Sequence, residues 1–171
     1  MSEKHELGLL RHAKSAWNTD APTDFDRPLN ERGKRDAPRM GKWMAAQDWV
    51  PDTIIASPAR RAKQTVKRVC RELGFPLEQI SWEERIYNAD VSDLLAVLRE
   101  CPETSRKVLL VGHNPGLSDL LELLTGSISD GALKLLPTAA LARLEVDGAW
   151  KDLGPGKGRL IGITRPKELR E

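Results

Sequence analysis

The chain alternates short apolar runs with stretches whose apolar positions recur at helical spacing. Residues 6–10 read as a first strand. Residues 107–111 form a near-continuous apolar run, as expected of a strand covered on both faces. Between them, a polar loop rich in Asp, Asn, Thr and Pro spans 12–28. Asn30 can cap a helix running to about residue 47, with Met40, Trp43 and Met44 on one face. Residues 53–56 make a short β-branched strand. Ser57-Pro58 then supplies a cap and a first-turn proline for a helix that ends at Gly74. Residues 80–87 are less regular and read as a strand with a bend. Asp90 can cap a helix carrying Val91, Leu94, Leu95 and Leu98 on one face. A helix over 117–124 stops at Gly126. Residues 140–146 alternate, 160–164 give a last strand, and the charged tail from Arg165 is expected to fray. Strands alternating with helices predict an α/β fold: a mostly parallel sheet in a three-layer α/β/α arrangement, forming a single domain over 1–171.

Composition narrows the function classes. A hydrophobic fraction of 40% and a charged fraction of 30% are those of an ordinary globular protein. A net charge of +2, with no aromatic-interleaved basic stripe, argues against a nucleic-acid partner. No apolar run approaches a membrane-spanning length, and residues 1–6 carry no signal core, so a cytoplasmic location is expected. Cys70 and Cys101 read as idle buried thiols, and no His/Cys/Asp group has metal-ligand spacing. Gly154-Pro155-Gly156-Lys157-Gly158 lacks the Walker pattern and reads as a turn before the last strand.

The candidate chemistry sits where apolar runs end. Leu10-Arg11-His12-Ala13-Lys14-Ser15, Ser57-Pro58-Ala59-Arg60-Arg61-Ala62-Lys63-Gln64-Thr65 and Val111-Gly112-His113-Asn114-Pro115 each follow a candidate strand. The carboxyl edge of an open α/β sheet is where ligands bind. Imidazole can act as a nucleophile, and guanidinium grips phosphate oxygens in bidentate fashion.

In this order, the three segments resemble the histidine phosphatase superfamily, and most closely its small SixA-like phosphohistidine phosphatases. The resemblance implies a phosphoglycerate mutase-like mixed sheet with an antiparallel strand near its edge. It implies a phosphatase that works without metal or other cofactor, through a covalent phosphohistidine. His12 matches the nucleophile, Arg11 and Arg61 the phosphate clamp, and His113 a second imidazole on the phosphoryl group. Arg61, rather than Arg60, matches the motif arginine. Ser15 and Asn18 match phosphate-contacting positions of the pattern Arg-His-x-x-Ser-x-Trp-Asn, while Trp17 between them reads as a packing residue. Glu84 falls about where a general acid would sit, with Asp20, Asp24 and Asp26 of the first loop as other candidates. Many members carry Gly after the nucleophilic His, where this chain has Ala13.

Two partners fit these residues. The span between Gln64 and Val108 leaves little room for the helical lid that larger relatives place over small substrates. That favours a phosphorylated protein, such as a phosphorelay component, over a small phosphate ester. A non-catalytic phospho-ligand binding module is the rival from another class, and the intact His12, Arg61 and His113 count against it.

Overall fold

The computed structural model describes residues 4–126 and 136–169. Residues 1–3 of the N-terminus and 170–171 of the charged tail lie outside the described residues. Strands are β1 (His5–Arg11), β2 (Thr53–Ala56), β3 (Ser81–Trp82), β4 (Lys107–Gly112), β5 (Leu141–Val146) and β6 (Gly158–Thr164). Helices are α1 (Glu31–Ala46), α2 (Arg60–Leu73), α3 (Val91–Arg99) and α4 (Gly116–Thr125). The strands form one sheet in the order β3-β2-β4-β1-β5-β6. Strands β1 to β4 run parallel, and β5 is antiparallel to both β1 and β6. This is the expected mixed α/β sheet with its reversed strand one place in from the edge.

Strand periodicity sorts the core into two layers. Leu7, Leu9, Val108 and Leu110 face one side, packed with Leu94, Leu98, Leu117 and Leu121 of α3 and α4. Leu10, Leu109, Val111 and Ile54 face the other, packed with Met40 and Met44 of α1 and Val66 and Val69 of α2. Both faces of β1 and β4 are thus covered, which is why residues 7–10 and 108–111 carry no polar side chain.

The local start and stop signals are realised. The Asn30 side chain accepts from the Gly33 amide at 2.9 Å. Asp90 and Asp93 form a reciprocal capping box, and Gly74 closes α2 in the left-handed region at φ 72°.

Three expectations are corrected. Helix α2 begins at Arg60 with Ala59 as its N-cap, two residues later than Ser57-Pro58 suggests. The Ser57 amide hydrogen-bonds to the Val111 carbonyl of β4 at 3.0 Å, which keeps the chain on the sheet past the end of β2. Residues 80–87 contain only the two-residue β3 and a 3₁₀ turn at Glu84–Ile86, because Ile86 turns inward to the core. The tail does not fray over its described part. A 3₁₀ turn at Pro166–Glu168 forms, and Leu169 packs against the core beneath α1 and α2.

No helix among the described residues is long and apolar enough to cross a membrane. Between Gln64 and Val108 the chain forms the rest of α2, β3, the 84–86 turn and α3. Helix α3 is part of the core layer.

Candidate active site

Three segments meet at the carboxyl edge of the parallel strands. Arg11, the last residue of β1, lies in register with Gly112, and the His12 amide donates to the Gly112 carbonyl at 3.0 Å. His12 and His113 therefore leave neighbouring strands side by side, with ring centroids 5.1 Å apart. On the other flank of β4, Ala56 pairs with Val111, and the Ser57 amide donates to the Val111 carbonyl at 3.0 Å.

His12 is buried. Its Nδ1 lies 2.7 Å from the Ala13 carbonyl oxygen. A carbonyl only accepts, so Nδ1 carries the ring proton and Nε2 of the neutral ring keeps its lone pair. Burial pushes the His12 pKa down to about 3, and His113, Arg61 and Arg11 add to the effect against the Ala13 hydrogen bond. The loop after His12 is tied to α2. The Ala13 amide donates to Thr65 Oγ1 at 2.9 Å, Thr65 donates to the Arg61 carbonyl at 2.7 Å, and Gln64 accepts from the Leu29 amide at 2.8 Å.

Arg61 is buried and held by Asp24. Its Nη1 donates to the Asp24 carbonyl at 2.7 Å and its Nη2 to the Asp24 carboxylate at 3.0 Å. That carboxylate also accepts from the Tyr87 hydroxyl at 2.7 Å and from Arg27 Nε at 3.0 Å. The Tyr87 hydrogen bond first, then Arg27 and Arg61, hold the Asp24 carboxyl at about 2. Arg11 Nη1 donates to the Leu136 carbonyl at 2.9 Å, which also accepts from Asn114 Nδ2 at 2.8 Å.

His113 Nε2 lies 2.7 Å from Ser57 Oγ. Burial, then Arg61, lower its pKa to about 4, against the charge of Asp24.

Among the described residues, three buried nitrogens of this cluster find no hydrogen-bond partner: Arg11 Nε, Arg61 Nε and His113 Nδ1. A buried polar group left unpaired costs about 1–3 kcal/mol. A tetrahedral oxyanion offers the acceptors that such a group of nitrogens lacks. A cavity of about 420 Å³ opens beside Asp24, Arg61, Asn88, His113 and Asn114.

The structure thus brings Arg11, His12, Arg61 and His113 together. It treats the other predicted residues differently. Ser15 is buried, but its hydroxyl accepts from Arg27 at 2.8 Å. Asn18 and Glu84 are exposed, and neither hydrogen-bonds to the cluster. Trp17, expected to pack, is 73% exposed, with the Arg27 guanidinium 3.7 Å above its ring. The loop is too short on apolar neighbours to bury an indole, and a cation covers it instead.

Sequence reasoning missed Arg27, Tyr87 and Ser57, and saw Asp24 only as a candidate acid. Arg27 had one signal, being the sole arginine of the 12–28 loop, close after Asp20, Asp24 and Asp26. Tyr87 is the single tyrosine of the chain, which by itself says nothing of its partner 63 residues away.

Comparison with known proteins agrees with this geometry. The family model of the histidine phosphatase superfamily (branch 1) matches residues 7–89. An uncharacterised protein of Mycobacterium tuberculosis is 32% identical over 164 residues, spanning 92% of this chain and 100% of the relative. A crystal structure from Agrobacterium tumefaciens, of a candidate phosphohistidine phosphatase SixA, has 32% identity and a TM-score of 0.83. It covers 96% of this chain and 100% of that one. The protein histidine phosphatase SixA complexed with tungstate has a TM-score of 0.80 at 25% identity, covering 96% and 99% of the two chains. This chain belongs to the histidine phosphatase superfamily. Within it, the chain has the architecture of the SixA structures, and membership and neighbours together support a phosphatase.

Proposed function

We propose that the protein removes phosphate from phosphohistidine side chains presented on other proteins, through a covalent intermediate on His12. One observation carries the reading. The proton of His12 is fixed on Nδ1 by Ala13, so Nε2 has a free lone pair, beside three buried nitrogens without partners among the described residues.

In the first step, His12 Nε2 forms a bond to phosphorus as the bond from phosphorus to the substrate nitrogen breaks. The departing imidazole leaves as the neutral ring, its other nitrogen having taken a proton from solvent beforehand. Arg11, Arg61 and His113 stabilise the charge on the equatorial oxygens. Water then attacks the phosphohistidine, releases inorganic phosphate and restores His12. No step calls on a metal or other cofactor, because guanidinium and imidazole groups carry the charge.

Two observations favour a protein-borne substrate. The chain between Gln64 and Val108 contributes no separate lid helix, α3 being committed to the core. A relative of the same architecture is described as a protein histidine phosphatase. A small phosphate ester is the second reading, favoured by a cavity of about 420 Å³, which lies within the range of small-molecule pockets.

The test is to trap the intermediate. Wild-type enzyme quenched during turnover of a labelled phosphohistidine peptide should carry acid-labile label on His12. His12→Ala should carry none and should lose several orders of magnitude of activity while staying folded. Retention of a tenth of the activity would refute the assignment.

A further inference from the structure

We propose that Ser57 is a positioning residue that fixes which nitrogen of His113 carries the proton, holding Nδ1–H as the donor toward the phosphoryl group. The role given to that donor rests on the reading above, but the tautomer itself does not.

The argument is a count of donors and acceptors. Ser57 is fully buried. It lies just past β2, fixed to β4 by its amide bond to the Val111 carbonyl at 3.0 Å. Its hydroxyl oxygen meets two groups: the Ala59 amide at 3.2 Å and His113 Nε2 at 2.7 Å. The amide can only donate, so Ser57 Oγ accepts there. The hydroxyl has one proton, and among the described residues His113 Nε2 is the remaining partner of Ser57 Oγ that can accept it. The reverse arrangement, with Nε2–H donating, would make Oγ a double acceptor and leave its own proton buried and unpaired. That arrangement costs the desolvation of a donor.

With Nε2 accepting from Ser57, a neutral His113 must carry its proton on Nδ1. That nitrogen is the one found buried without a partner. Burial keeps the free ring neutral at physiological pH, so the tautomer, not the charge, decides whether Nδ1 presents a proton or a lone pair. A lone pair there would repel a phosphoryl oxygen.

The direct readout is the pair of His113 ring-nitrogen shifts in ¹⁵N NMR of the free wild-type enzyme. The expected result is a pyridine-type Nε2 and a pyrrole-type Nδ1. A pyrrole-type Nε2 overturns the proposal without reference to activity. In Ser57→Ala the two signals should exchange or average, and vanadate binding should weaken about ten- to a hundredfold, as for one lost hydrogen bond in a buried site. Ser57→Thr, which keeps the hydroxyl, should restore both. Unchanged shifts and unchanged vanadate affinity in a folded Ser57→Ala would also overturn it. Should Ser57→Ala fail to fold, the wild-type shifts and the Thr variant still decide. Wild-type shifts as expected in a protein with no phosphohistidine turnover would sink the functional reading and leave the tautomer assignment standing.

Discussion

Asp24→Asn should tighten the binding of phosphate-like anions. Arg61 holds both its terminal nitrogens on Asp24, one on the main-chain carbonyl at 2.7 Å and one on the carboxylate at 3.0 Å. An incoming phosphate that uses the guanidinium fork must displace at least the carboxylate, which carries the same sign of charge as the ligand. A hydrogen bond to a charged group is worth about 1.5–3 kcal/mol. The Asp24 side chain is 49% exposed, so screening by water and salt reduces the figure to about 1 kcal/mol. The asparagine keeps the main-chain anchor, so Arg61 stays oriented while the competing charge goes. About 1 kcal/mol corresponds to roughly a fivefold tighter inhibition constant. The assay is competitive inhibition by vanadate of an aryl phosphate substrate, measured from pH 5 to 8. With the carboxyl held at about 2, Asp24 is ionised across that range, so the gain should not vary with pH. Unchanged or weaker vanadate binding would refute the competition and recast Asp24 as a support that Arg61 needs.

Gly33→Ala should lower the denaturant midpoint, although helix propensity alone favours Ala by about 1 kcal/mol. The new Cβ would stand 2.1 Å from the Lys14 carbonyl oxygen, and overpacking against backbone costs about 1–3 kcal/mol; a raised midpoint would contradict this. Stability should fall as pH falls from about 6.5. His12 and His113 are held to about 3 and 4 in the fold, so the unfolded chain binds more protons throughout that window. Melting temperatures from pH 7.5 to 4.5 should show the decline, with a shallower slope in His12→Gln. Glu84→Gln should leave turnover of phosphohistidine and of an alkyl phosphate within about twofold of wild type, since the side chain is exposed and unbonded to the cluster; a strong loss confined to the alkyl ester would restore Glu84 as the acid.

The elements legible in the sequence are those whose cause is local. Asn30, Asp90 and Gly74 act on backbone within a few residues, and each behaves as its type predicts. The apolar run of β4 announces a strand covered on both sides. The direction of β5 was not legible from its alternation, which reads the same whichever way a strand runs. At the site, Arg11, His12, Arg61 and His113 stand at strand ends and are found together. What was lost depends on contacts far apart in sequence. Trp17 looked like a packing residue because an indole is apolar, yet the nearest available cover is the charged Arg27. Ser15 matched a phosphate position, and no local signal shows that Arg27 donates to its hydroxyl oxygen. Ser57 reads as a helix cap until β4 and His113 are seen beside it.

The strand order has a consequence for when the protein becomes active. In the sheet, β4 lies between β1 and β2, yet it is synthesised after both. A nascent chain that has emerged as far as α3 already carries His12 after β1 and Arg61 after β2, but these two strands do not pair with each other in the sheet. The match to residues 7–89 covers that half alone. Only insertion of residues 107–112 closes the gap, and the same event delivers His113 and fixes His12 through the Gly112 carbonyl. Chemistry at this site therefore reports insertion of β4: a fragment ending before it carries Arg11, His12 and Arg61 but neither His113 nor the strand that aligns them.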